Sequence, residues 1–537
     1  MFFKKLNYES KNIVSAAALF GFFSLASRLV GFVRDRILSG QFGAGDILDA
    51  YYAAFKIPDF VFNLLMVGAL SASFIPIFTK AISWAGKKDE AWRFTNNVLN
   101  ILNVLALAAI VILFIFARPI AGVIAPGFLG AKADLVVSFT RIMLLAELFL
   151  GISVIFGSVL QGLKRFFLYA LAPIFYNLGI IIGAVWLTPW LGPTGLAWGV
   201  ALGAFLHCFI QAFGVFVLGY RYAWSFRWRD PAIKEMIKLT GPRILGLAVA
   251  QINLLITTVL ASWLPSGNLT IFNFAYNIVY LPIGIVGVSF AVAIFPNLSE
   301  HAEKGEAHKL IETISSGVRQ VLFLIIPCTI IFLLLRAQIV RVVVGAGKFG
   351  WAETITAANT LAIMTISLFA QCVNYLLIRA FFALRDTKTP LFVGLISTVV
   401  NAVVILLFMP HWGIFSLGVA VTFSSLLTFV FLWVLLRVRL GTLEEAKILR
   451  SLFILTVAGL ISGLAIQATK PLVIKIISLD TFFGVLLQGL CAGGLGFAIY
   501  LVVALLFKSP EAQTLTASLR RRFFKAYQPK EMVAPTE

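Results

Sequence analysis

Four charged side chains fall inside one apolar stretch: Arg28, Arg34, Asp35 and Arg36, within Ser27–Arg36. The surrounding apolar segment runs from about residue 13 to 39, and at about 1.5 Å per helical residue Arg28 lies roughly 25 Å from the charged edge at Lys11. That approaches the full depth of a hydrocarbon core of about 30 Å. A cation at depth costs about 2.5–3.5 kcal/mol on insertion scales, so these side chains need a wet cavity, an anionic ligand or one another. A competing reading has Arg34 and Arg36 snorkelling to the headgroups, with Asp35 paired to one of them. The chemistry on offer is anion binding, because the planar arginine fork matches phosphate oxygens.

Other polar residues sit within apolar segments: Lys56, Asp59, Asn63, Arg141, Glu147, Arg243, Asn253, Asn277 and Arg379. Such groups usually face a bundle interior and mark a pathway. Lys56 and Asp59, three apart, can pair locally, whereas Arg141 and Glu147, six apart, do not share a helical face and read as interhelical contacts. Enzyme signatures are missing: no Asp-rich diphosphate motif, no HExxH and no Walker loop. His207, alone on an apolar helix, reads as packed or pore-lining. The four cysteines lie apart in apolar segments, which disfavours a disulfide framework or a metal site. No cofactor is called for.

These side chains must be held by a polytopic membrane fold. The 537 residues are 60% hydrophobic and 12% charged, with a mean hydropathy of +0.98. A soluble chain carries about twice that charged fraction. A net charge of +20 could suggest nucleic acid, but the basic residues are scattered over short loops, so no nucleic-acid partner is expected. Fourteen apolar segments are long enough to span, near residues 13–39, 50–79, 94–117, 135–161, 167–189, 193–219, 240–263, 268–296, 315–335, 355–383, 389–409, 412–436, 451–469 and 482–507. Alternate loops are basic, from Lys4, Lys5 and Lys11 at the start to Arg520, Arg521, Arg522 and Lys525 at the end. Lys/Arg-rich loops stay inside, so both termini are expected in the cytoplasm. Exceptions are the outer loops with Arg118 and Lys132, with Arg336, Arg341 and Lys348, and with Lys470 and Lys475. The basic, partly amphipathic tail is expected to lie on the anionic inner leaflet, among membrane lipids.

The chain also repeats. Arg28-Leu29-Val30-Gly31-Phe32 recurs as Arg243-Ile244-Leu245-Gly246-Leu247, and Tyr51–Ile57 lines up with Phe272–Ile278. Phe74-Ile75-Pro76 matches Ile294-Phe295-Pro296. Both copies begin with an inward N-terminus, so they read as parallel repeats flanking a cleft. The expected architecture is all-α, with about fourteen transmembrane helices in two pseudo-symmetric six-helix bundles, 1–230 and 231–440. Two further helices span 441–507, and a basic tail covers 508–537.

Ser27-Arg28-Leu29-Val30-Gly31-Phe32-Val33-Arg34-Asp35, Phe42-Gly43-Ala44-Gly45, Asp49-Ala50-Tyr51-Tyr52 and Phe55-Lys56-Ile57-Pro58 closely resemble the MurJ (MviN) family. Gly68-Ala69-Leu70-Ser71, Ala125-Pro126-Gly127-Phe128, Thr240-Gly241-Pro242 and Gly347-Lys348-Phe349 continue the match. The resemblance implies a fold of the multidrug/oligosaccharidyl-lipid/polysaccharide exporter superfamily in the bacterial cytoplasmic membrane. It implies flipping of lipid II, the undecaprenyl-diphosphate-linked peptidoglycan precursor, by alternating access. Arg28 and Arg34 match the family's cavity arginines, and Asp49 its acidic residue at the start of the second helix. Lys56, Arg243 and Asn277 complete the expected substrate set. Family arginines in the second helix are Phe62 and Asn63 here, and an Asp-Arg pair in the eighth is Tyr276 and Asn277. The resemblance further implies a tail groove made by the last two helices. Membrane potential or a monovalent cation would drive transport, and the positions matching a sodium site are Thr257, Ser397, Asn401 and Thr422, without a carboxylate. Rival readings are an exporter of another polyprenyl-diphosphate-linked saccharide and a membrane-embedded glycan polymerase or ligase. The short outer loops and missing catalytic constellation count against the enzyme, and the basic first helix counts against a cation exporter.

Overall fold

A chain this apolar must satisfy its backbone within each segment, and helices are the way to do so without a closed barrel. The computed structural model describes residues 13–85, 88–476 and 478–524, with some side chains, Arg243 among them, outside that description. The helices are α1 Ile13–Phe42, α2 Asp46–Ala54, α3 Lys56–Val61, α4 Gly68–Ala85, α5 Lys88–Ile115, α6 Ala117–Ile124, α7 Ala131–Gly162 and α8 Phe166–Ile182. There follow α9 Thr188–Leu191, α10 Thr194–Val217, α11 Pro231–Ala261, α12 Asn268–Pro282, α13 Ser289–Glu303, α14 Ala307–Leu334 and α15 Arg336–Val343. The chain continues with α16 Trp351–Thr365, α17 Leu368–Ala383, α18 Lys388–Trp412, α19 Phe415–Leu440, α20 Glu445–Ile474, α21 Phe482–Leu506 and α22 Pro510–Phe524.

Every expected apolar segment falls on helix. Among the described residues, ten helices are long and apolar enough to cross a membrane, or eleven if the pair α16–α17, bent by 46°, is one span. These match eleven of the expected fourteen segments; the other three fall on α1, the broken run α2–α4 and α11, each of which includes side chains outside the description. The break at Phe55 has a local cause: Pro58 has no N–H to give the carbonyl of Ala54.

The duplication reappears in the backbone. π-helical turns occur at Phe62–Val67 and Ile283–Val288, 221 positions apart. The same offset links left-handed turn residues Lys164 (φ 57°) with Arg385 (φ 58°), and Gly192 (φ 62°) with Gly413 (φ 52°). Irregularities this specific at one constant spacing record a shared ancestral template rather than chance apolar similarity.

Packing divides the chain into two compact units. The first comprises Met1–Asn277, Val340–Thr360 and Gly394–Ser424, and so takes in stretches from both copies of the repeat. One of its apolar clusters stacks Phe74 on Phe78 and Phe94, with centroids 5.5 and 5.2 Å apart. The irregular segment before α11 is tied to α5 by asparagines: Asn97 accepts from the Arg227 N–H (2.6 Å) and donates to its carbonyl (3.0 Å), while Asn100 donates to Ser225 O (3.0 Å). These amides supply the backbone partners that helix would otherwise provide. The second unit comprises Ile278–Ile339, Leu361–Val393 and Ser425–Glu537. There Gly496 lets α21 approach α20, since a Cβ would come within 2.4 Å of Ile466, and Ser462 bonds the Gly496 carbonyl at 2.7 Å. The tail cations Arg520, Arg521, Arg522 and Lys525 lie outside the described side chains, as do Lys4, Lys5 and Lys11.

Candidate functional site

Arg34 is the centre of a polar cluster in the first unit. Its Nε and Nη2 donate to Asp35 Oδ1 at 3.0 and 2.7 Å, and its Nη1 donates to Asn177 Oδ1 on α8 at 2.9 Å. The other Asp35 oxygen accepts from Asn277 Nδ2 of α12 at 3.4 Å. Asp35 is buried, whereas the Arg34 side chain keeps 22% of its surface exposed. Three of the five guanidinium N–H donors are thereby committed, leaving one hydrogen on each Nη for a ligand. The pairing of Asp35 with an arginine is as expected; the partners Asn177 and Asn277 come from helices far along the chain.

Arg28 is half-buried, seven positions before Asp35 and hence on the same stripe of α1. It has no ion-pair partner among the described residues. Lys56 opens α3 just past the break at Phe55. Lys56 and Asp59, whose spacing allows local pairing, make no ion pair among the described residues. The Asn63 side chain turns back to the Asp59 carbonyl (2.8 Å). Arg243 belongs to α11, and its side chain lies outside the described residues.

Arg36 does not snorkel. Its Nη1 donates to the carbonyls of Arg341 (2.9 Å) and Val342 (2.8 Å), and Ser39 Oγ donates to Val344 O (2.6 Å). These are the last carbonyls of α15 and the residue just after it, where a cation also meets the negative end of the helix dipole. Gly40 O in turn accepts from Lys348 N (2.9 Å).

Asp49 is not presented to a ligand. It is 1% exposed, and its two oxygens accept from Lys132 Nζ (2.7 Å), Gly267 N (2.7 Å), Thr270 N (2.9 Å) and Thr270 Oγ1 (2.7 Å). It holds the turn between α11 and α12. Gly267 has φ 88°, and a Cβ there would strike Ala44 O at 2.5 Å, so only glycine fits this crossing. Lys132 also reaches Asp46 (2.8 Å), which accepts from Ser266 (2.7 Å); these two donors hold the Asp46 carboxyl below its ordinary range. A matching contact joins Gly127 N to Ser262 Oγ (3.0 Å). Each copy's loop after the third span thus sits on the end of the other copy's first helix, and this end of the first unit is closed. Three of the loop cations that broke the charge pattern are absorbed locally: Lys132 as above, Arg118 by Asp134 (2.5 Å), and Lys470 by the Leu334 carbonyl.

Of the expected ion ligands, three come together. Thr257 Oγ1 donates to Asn401 Oδ1 (3.3 Å), Asn401 Nδ2 to Ser424 Oγ (3.5 Å), and Ser397 Oγ to Ser424 O (3.1 Å). Thr422 is not joined to them by these bonds. Ser424, missed in the sequence, is the hub. Among the described residues no group of three His, Cys, Asp or Glu side chains could hold a metal.

In the second unit, α14, α17, α19 and α20 line a partly open apolar cavity of about 610 Å³. Leu322, Ile326, Val373, Phe429, Trp433 and Leu452 are among its walls, and none comes from α21. Of the last two spans, α20 alone contributes to these walls. Asn177, absent from the intramembrane polar set read above, carried the same signal as its members: an amide inside an apolar span.

A sequence profile described as "Lipid II flippase MurJ" matches residues 38–485. A "Probable lipid II flippase MurJ" of Rhizobium tropici is 30% identical over 512 residues, covering 93% of this chain and 95% of that one. Its counterpart in Bdellovibrio bacteriovorus is 27% identical over 466 residues, covering 86% and 89%. Among solved structures, "Lipid II flippase MurJ, inward closed conformation" superposes with a TM-score of 0.74 at 23% identity, covering 91% of this chain and 98% of that one. An inward-facing multidrug resistance MATE transporter of the MOP superfamily reaches 0.65 at 16% identity, covering 78% and 96%. The chain, a multi-span membrane protein, belongs to the lipid II flippase MurJ family.

Proposed function

We propose that the protein moves lipid II from the inner to the outer leaflet of the bacterial cytoplasmic membrane, transporting it without covalent chemistry. Family membership supports the substrate, and the uncommitted donor pair of Arg34 is the observation that carries the mechanism. Arginine binds phosphate in two parallel bonds, so a diphosphate would dock on that edge with Arg28, Lys56 and Arg243 adding positive charge. Asn277, opposite Asp35, closes the set. Asp49 belongs to the gate instead.

In this reading both termini are cytoplasmic and the closed end at Asp49 faces outward. Alternating access then rocks residues 1–230 against 231–440, breaking the bonds of Asp49, Arg36 and Gly127 as the outer end opens. The apolar cavity takes the polyprenyl tail, with 441–507 supplying one wall. Thr257, Ser397, Asn401 and Ser424 offer only neutral oxygens and are already bonded to one another, so the membrane potential, rather than a sodium ion, acts as the driving force.

The test is rescue of a MurJ-depleted bacterium by the unmutated chain, Arg28→Ala and Arg34→Ala. Rescue by the first alone is expected. Failure of the intact, expressed chain beside rescue of a polysaccharide-export mutant would replace lipid II by another polyprenyl-linked saccharide. Full rescue by both variants would remove the diphosphate role.

A further inference from the structure

We infer that Asn177 is a positioning residue that decides which edge of the Arg34 guanidinium meets the diphosphate. The inference rests on Arg34 being the diphosphate ligand proposed above. Neighbouring side chains on a helix do not face each other, so Asp35 by itself leaves the long Arg34 side chain hinged about one carboxylate oxygen. The third bond, from Nη1 to Asn177 Oδ1, comes from a different helix and fixes the plane. With Nε, Nη2 and one Nη1 hydrogen taken, the remaining hydrogens on Nη1 and Nη2 are the ones a ligand meets.

The Asn177 amide cannot be turned the other way. Its Nδ2 donates to Pro173 O one helical turn back (3.0 Å), which leaves Oδ1 pointing at Arg34. Reversed, it would set an NH2 donor against a guanidinium donor and a carbonyl against a carbonyl. A neutral acceptor is also what the chemistry requires. Asp35 already offsets one positive charge; a second carboxylate at position 177 would cancel the charge that draws an anionic headgroup. Asn177 orients without neutralising.

The test is a double-mutant cycle on the full chain in detergent, using undecaprenyl diphosphate as the probe and undecaprenol as its uncharged control. Asn177→Leu should weaken diphosphate binding about tenfold, the scale of one hydrogen bond to a charged group. It should leave undecaprenol unchanged, and it should cost nothing further when combined with Arg34→Ala. Asn177→Asp keeps an acceptor but adds charge; it should also weaken the diphosphate selectively, which guards against a misfolded leucine variant. Equal losses with and without the Arg34→Ala substitution, or no loss in either Asn177 variant, would overturn the positioning role while the diphosphate site stands. A wild-type protein that does not prefer the diphosphate to undecaprenol would overturn the site itself, and the inference with it.

Discussion

Asp49 and Thr270 occupy matching places in the two copies of the repeat, 221 positions apart, and bond directly to each other: Thr270 N and Oγ1 both donate to Asp49 Oδ1. The first copy has placed a buried carboxylate where the second has a hydroxyl. Lys132 compensates the charge from the side.

Removing that carboxylate should open the end it closes. Asp49→Ala leaves Lys132 with Asp46 alone and deprives the Gly267 and Thr270 N–H groups and the Thr270 hydroxyl of their acceptor, a change on the order of 3 kcal/mol against the closed arrangement, the scale of buried donors left unpaired. A cysteine placed at Trp263 should label faster with an impermeant maleimide in Asp49→Ala than in the Asp49 protein. Undecaprenyl diphosphate affinity in detergent should change far less than for Arg34→Ala; an equal loss would return Asp49 to the binding site.

Arg34→Lys should fail like Arg34→Ala. A lysine ammonium cannot bond Asp35 through two nitrogens, reach Asn177 and still present a parallel pair of donors. Growth rescue by Arg34→Lys at full rate would mean that charge alone suffices and that the fork geometry is incidental.

The closed end should be insensitive to pH over the neutral range. Lys132 and Ser266 depress the Asp46 carboxyl below its ordinary 3.8, so its stabilising contribution is present above that value and is lost as pH falls below it. With 58% of the Asp46 side chain exposed, the contribution is about 0.5 kcal/mol. A spin label at position 263 should keep one mobility from about pH 8 to about pH 5, since the linked protonation lies lower. A midpoint near neutrality would assign the gate to some other group.

Filling the apolar cavity should discriminate by tail length. Leu452→Trp adds bulk to its wall and should weaken undecaprenyl diphosphate while sparing farnesyl diphosphate, whose short tail buries fewer methylenes at about 0.8 kcal/mol each. Parallel losses for both would place the tail elsewhere.

Replacing sodium by potassium should leave diphosphate binding unchanged. Asn401→Leu removes hydrogen bonds with Thr257 and Ser424 in a buried site and should lower stability by about 1–2 kcal/mol in either salt. A stability loss seen only in sodium would give the cluster an ion.

Hydropathy, loop charge and an internal repeat are local or additive properties, and they carried the membrane class, the position of every apolar segment and the duplication. They also drew attention to α1, because a charge at bilayer depth is costly whatever surrounds it. The partners of those charges were not legible. Asp35 is bonded across 242 positions to Asn277, Arg34 across 143 to Asn177, and Arg36 across 305 to the end of α15. Nothing in the spacing of α1 distinguishes Arg36, which caps a helix, from Arg34, which offers a ligand edge. Apolar helices look alike to one another in sequence, and which faces meet depends on small residues and packing over the whole bundle. For the same reason the cavity walls include α14, α17 and α19, and Asp49 is bonded to the turn before α12. Sequence determined that buried charges exist here and must be satisfied; tertiary packing decided which are satisfied by protein and which keep donors for a ligand.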